Sequence, residues 1–86
     1  IYAKYRSPTG SYEEVIIQCK HKERSDSSVG VEPVREIFGI LKSNKQLSKA
    51  ILVTNGTFTN DAISFANENN VELIDRIKLQ SLMGSV

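Results

Sequence analysis

The sequence predicts an α/β domain, a mixed β-sheet flanked by helices in the order β-β-α-β-α-β-α. Apolar runs of strand length alternate with longer segments of helical period, and clusters of turn residues separate the two kinds. At 86 residues the chain has room for one domain, read as residues 1–86.

Ile1, Ala3 and Tyr5 alternate with Tyr2 and Lys4, the period of a half-buried first strand. Ser7, Pro8, Thr9, Gly10 and Ser11 form a turn cluster, so a hairpin with a longer loop leads to an antiparallel second strand. In that strand Val15, Ile16 and Ile17 run on through Gln18, Cys19 and Lys20 with little polar break, which predicts a central position. From Lys20 to Gly30 the chain is charged and serine-rich, a solvated connection of about ten residues, longer than most in small domains.

Val34, Ile37, Phe38 and Leu41 then recur at i, i+3, i+4 and i+7, the stripe of an amphipathic helix, and Pro33 is compatible with its first turn. Ala50 to Val53 predicts a third strand, parallel to the second because a helix separates them. Thr59 or Asn60 can cap a second helix that turns Ala62, Ile63, Phe65 and Ala66 inward, with Asn69 and Asn70 as its stop. Val71 to Ile74 returns as a fourth strand, and Asp75 caps a last helix with Leu79, Leu82 and Met83 on one side.

Composition narrows the function classes. No apolar run approaches the ~20 residues that cross a bilayer, so no membrane span is predicted. The single cysteine, Cys19, can form neither an internal disulfide nor a zinc site, which points to a reducing, cytoplasmic setting. A net charge of +1 is too small for nucleic-acid affinity through bulk electrostatics, but the charge is uneven. Residues 1–49 hold nine Lys or Arg against six acids, and residues 50–86 hold two against four. The chain opens on Ile1, with no Met and no signal-type segment, and is read as a fragment truncated at its N-terminus.

Gln18 and Lys20 are two apart on one strand and share a face, while Cys19 points to the other. An amide oxygen beside an ammonium at a strand end suits phosphate chemistry, in which a cation steadies the developing charge and a metal polarises the phosphoryl oxygen. Ordinary surface lysines give the same pattern by chance. His21, in the same loop, has no Asp or Ser partner at relay spacing and reads as a solvated residue before it reads as a phosphate contact. Lys22 and Arg24 need only charge and reach to contact phosphate. Tyr2, Tyr5 and Tyr12 read as packing across the hairpin rather than as base-stacking platforms. In the Thr54 to Thr57 segment Gly56 reads as turn geometry and Thr54 as a residue at the rim of the site.

The strings VIIQCKHK, VGVEPVREIFGIL and KAILVTNGTFTNDAISFANENNVELID, followed by a leucine-containing helix, resemble the catalytic domain of Mrr-like restriction endonucleases, in the PD-(D/E)xK nuclease superfamily. The resemblance runs from about Val15 to Met83 and implies a restriction-endonuclease-like mixed sheet. It further implies a Mg²⁺-dependent DNA endonuclease that restricts foreign or modified DNA. Gln18 and Lys20 are then catalytic, Gln18 in the place more often held by Glu or Asp and Lys20 as the motif lysine. Gln18 and the Cys19 backbone carbonyl are metal donors, with Glu36 and Glu32 as further candidates, and the Cys19 thiol is a small buried apolar group. Lys22, Arg24 and His21 are DNA contacts. The first strand carries no carboxylate, so the main metal-binding Asp of the family is expected just before Ile1. Cleavage of both strands implies a homodimer or two sequential events. The alternative is a noncatalytic nucleic-acid-binding or interaction module that keeps the nuclease fold, and it rests on that same missing acid.

Overall fold

The computed structural model describes residues 2–6, 8–24 and 27–84. Ile1, Ser7 and residues 25–26 of the long connection lie outside the described residues, as does the side chain of Tyr5. The elements are β1 (Tyr2–Arg6), β2 (Tyr12–Lys20), β3 (Ser28–Val29), α1 (Val31–Ser43), β4 (Leu47–Thr54), β5 (Thr57–Phe58), α2 (Asn60–Glu68), β6 (Val71–Ile74) and α3 (Arg76–Gly84).

Four strands form one mixed sheet in the order β1-β2-β4-β6. β1 and β2 are an antiparallel hairpin, with Ala3 opposite Val15 and Lys4 opposite Glu14. β2 pairs parallel with β4, Gln18 beside Leu52 and Lys20 beside Thr54, and β4 pairs parallel with β6. The β2 run of Val15, Ile16 and Ile17 is therefore central, as its near-continuous apolar character predicts. β2 begins at Tyr12 and β4 at Leu47, three residues ahead of the predicted starts in both cases. Tyr2 and Tyr12 are exposed on the hairpin.

The two faces of the sheet differ. Ile16, Ala50, Leu52 and Val71 lie in the core with Val34 and Ile37 of α1 and Ala62 and Ala66 of α2. Successive strand residues alternate faces, so Gln18 and Lys20 belong to this helix-covered side. Cys19, Ile51 and Val53 belong to the other side, which α3 covers sparsely. None of the α3 residues is buried, and Ile77, Leu82 and Met83 are exposed. Two expectations are corrected here. Ile63 of α2 is 42 % exposed, because the tight approach of the helix is made by Ala62 and Ala66, and the Leu79, Leu82 and Met83 stripe contributes mainly Leu79 to the fold.

The connection from β2 to α1 contains an unpredicted element. β3 pairs parallel with β5, through Thr57 N–H donating to the Ser27 carbonyl (3.0 Å) and Thr59 N–H to the Val29 carbonyl (3.0 Å). Val29 and Phe58 are buried there, so this small second sheet ties the start of α1 to the start of α2. Helix ends follow the sequence. Thr59 Oγ1 accepts from Ala62 N–H, Asp75 Oδ1 accepts from Lys78 N–H, and Asn70 takes the left-handed conformation after α2 (φ 58°).

Candidate functional site

β2 enters the core at Val15 and Ile16 and leaves it at Gln18 and Lys20, which are half-buried. At that end lies an open pocket of about 350 Å³. Lys20, Lys22 and Glu32 line it over an apolar floor of Val29, Val31 and Pro33. Gln18 stands one same-face step back along the strand. Among the described residues no hydrogen bond or ion pair of the Gln18 amide or the Lys20 ammonium is seen.

The backbone beneath these side chains is tightly held. Thr54, 1 % exposed, donates its hydroxyl to the Lys20 carbonyl (2.8 Å) and accepts from Gly56 N–H (3.1 Å). Thr54 is thus a buried support of the strand end and not a rim residue. Asn55 next to it grips Lys22. Its Oδ1 accepts from Lys22 N–H and its Nδ2 donates to the Lys22 carbonyl, both at 2.7 Å. No local spacing signals this contact, which joins residues 33 apart in sequence.

The other expected residues separate into two groups. Glu32 reaches the lysine pocket from the first turn of α1, where Arg35 pairs with its carboxylate at 3.2 Å, while Glu36, one turn on, is exposed and outside the pocket lining. His21 lies outside that pocket, in a shallow apolar recess with Cys19, Val53 and Leu79 that Lys20, Thr54 and Asn55 also border. Arg24 is exposed in the loop, where its carbonyl accepts from Ser27 N–H. The Cys19 thiol is exposed, contrary to the expectation of a buried apolar group, because α3 leaves that end of the sheet face uncovered. Within a strand the N–H and C=O of successive residues point to opposite edges. Since the Lys20 carbonyl faces β4, that of Cys19 projects to the β1 side, where the described hairpin pairing ends at Tyr2 opposite Ile16.

The fit to a divalent cation is partial. Gln18 and the Cys19 carbonyl supply neutral oxygens, whereas Mg²⁺ favours one or two carboxylates beside phosphate and water. Among the described residues no three His, Cys, Asp or Glu side chains converge on a metal position, and the Glu32 carboxylate is shared with Arg35. These residues do not complete a metal site alone. Among the described residues a resolved perturbation of acidity lies elsewhere. On the sparsely covered face the Glu72 carboxyl is held below the usual carboxylate range, chiefly by its hydrogen bond from Lys49 (2.7 Å), against an opposing effect of burial.

Comparison with known protein families places most of the chain in one of them. The family model Mrr_cat, a restriction endonuclease, matches residues 2–83. No curated protein and no solved structure matches the chain. Among the described residues no helix is long and apolar enough to cross a membrane.

Proposed function

Because the chain belongs to the Mrr catalytic family of restriction endonucleases, a nuclease family that acts on DNA and generally uses divalent metals, we propose that the end of β2 is its phosphodiester-hydrolysing site. The observation that carries this reading is the pocket in which Lys20 and Lys22 stand together, one same-face step beyond Gln18. Lys20 is the catalytic cation. Its main chain is pinned by Thr54, and its ammonium faces the scissile phosphate, where it offsets the negative charge that grows on the phosphoryl oxygens. Lys22 holds an adjacent phosphate, and Arg24 and His21 extend the contact along the loop.

Mg²⁺ is the proposed cofactor. When bound it supplies Lewis-acid polarisation and a hydroxide nucleophile. Gln18 and the Cys19 carbonyl are this chain's donors to it, with Glu32 ahead of Glu36 as an acidic supplement because Glu32 alone reaches the pocket. The proposed role is restriction of foreign or modified DNA in the cytoplasm, with a homodimer or two successive nicks completing a double-strand cut.

The test is incubation of supercoiled plasmid, methylated and unmethylated, with the folded protein in Mg²⁺ or in EDTA. Mg²⁺-dependent nicking or linearisation is expected, and its complete absence from a folded protein contradicts the reading. A second reading, a noncatalytic DNA-binding module, is favoured by the lack of converging carboxylates among the described residues. Metal-independent binding without cleavage of either plasmid is its signature.

A further inference from the structure

We propose that Asn55 is a positioning residue that fixes Lys22 against the DNA backbone. The proposal rests on the nuclease reading above and adds a residue to it. The β2–β4 ladder ends at Lys20 beside Thr54, and no regular structure covers Lys22. A lysine two residues past a strand end, at the start of a long charged connection, would ordinarily sample many backbone conformations.

Asn55 removes that freedom. In an extended strand the N–H and C=O of one residue point to the same edge, and a neighbouring strand normally satisfies both. The Asn55 carboxamide does so here, its Oδ1 on the Lys22 N–H and its Nδ2 on the Lys22 carbonyl, both at 2.7 Å. A carboxamide carries an acceptor and a donor on two separate atoms of one planar group, whereas a carboxylate has no donor and a hydroxyl places both functions on one atom. The clamp therefore extends the alternation of β2 by two residues. Lys22 is carried to the face of Gln18 and Lys20, where it lines the same pocket as Lys20, whereas His21 is absent from that pocket's lining and borders the recess beside Cys19. Thr54 does the same for Lys20 through its carbonyl, so two consecutive residues, the last of β4 and the one that follows it, hold the two pocket lysines by their main chains. Two ammonium groups with fixed origins match a phosphate chain better than two loop lysines, since less freedom is lost on binding.

The experiment measures affinity for a fluorescein-labelled DNA duplex by anisotropy, in EDTA over a series of salt concentrations, for the full chain and its Lys22→Ala, Asn55→Ala, Asn55→Ser and Lys22→Ala/Asn55→Ala variants. A phosphate contact adds about 0.9 to the slope of log affinity against log salt. Lys22→Ala is expected to make the slope shallower by about one unit. Asn55→Ala is expected to match it, and the double variant to go no further. Asn55→Ser, which can keep one of the two bonds, falls between, and it carries the test should Asn55→Ala not fold. Exchange of the Lys22 amide proton is expected to speed up in both Asn55 variants. A purely structural Asn55 would lower thermal stability and leave the slope at the wild-type value, and that result overturns the proposal while leaving the nuclease reading intact. A wild-type slope in Lys22→Ala also overturns it. A folded wild type that neither binds nor cuts DNA overturns both.

Discussion

Gln18 presents a neutral amide oxygen where a carboxylate would hold a hard cation more strongly. Gln18→Glu is therefore expected to lower the Mg²⁺ concentration for half-maximal plasmid cleavage several-fold, measured by metal titration at fixed enzyme. An unchanged midpoint would remove Gln18 from the metal's donors. Thr54 makes a separate prediction. Thr54→Val keeps the shape and deletes the hydroxyl, leaving the Lys20 carbonyl and the Gly56 N–H short of a partner at a buried position. A loss of about 1–3 kcal/mol in urea unfolding is expected, and Thr54→Ser should recover much of it. The shared face of Gln18 and Lys20 was legible in the sequence because a strand's period of two needs no tertiary information. The roles of Thr54 and Asn55 were not, since each depends on which strand lies beside β2 and in what register. The exposed thiol of Cys19 was hidden for a related reason. Alternation assigns Cys19 to a face but does not say how well that face is covered.

Among the elements, α2 and α3 contrast. α2 sets Ala62 and Ala66 flat against the core and is capped by Thr59, so Thr59→Ala is expected to lower global stability by about 1 kcal/mol in urea denaturation. α3 has no buried residue, and Asp75 caps it. Its amides are expected to exchange by local fraying well below the global unfolding free energy, and Asp75→Ala to speed that exchange while leaving the urea midpoint almost unchanged. A shift of the midpoint as large as that of Thr59→Ala would show α3 to be part of the cooperative core. The apolar spacing of Leu79, Leu82 and Met83 made α3 legible as a helix but overstated its packing, because a stripe reports only what a helix can bury. The β3 and β5 pair escaped for the opposite reason. Two residues per strand give no periodicity, and the pairing consists of backbone hydrogen bonds across about thirty residues of chain.

At the scale of the whole molecule, the strand order places the basic hairpin and connection on one side of the sheet and the Lys49–Glu72 pair on the face away from α1 and α2. Because the Glu72 pKa is lowered in the folded state from 4.5, its pairing stabilises the fold above the ordinary carboxylate range. That contribution is lost as pH falls through the lowered value. The pair is partly solvated, so the effect is expected to stay under about 1 kcal/mol, and Glu72→Gln should flatten this part of the acid-side stability profile in urea titrations between neutral and acidic pH. The central claim concerns the other side of the sheet, where β2 delivers Lys20 to the phosphate. The most direct measurement of it is the rate of Mg²⁺-dependent plasmid nicking by Lys20→Ala beside the wild type, with near-ultraviolet circular dichroism confirming that both are folded. The account predicts nicking by the wild type and its loss, by at least a hundredfold, in the variant. Nicking by a folded Lys20→Ala at the wild-type rate would contradict it.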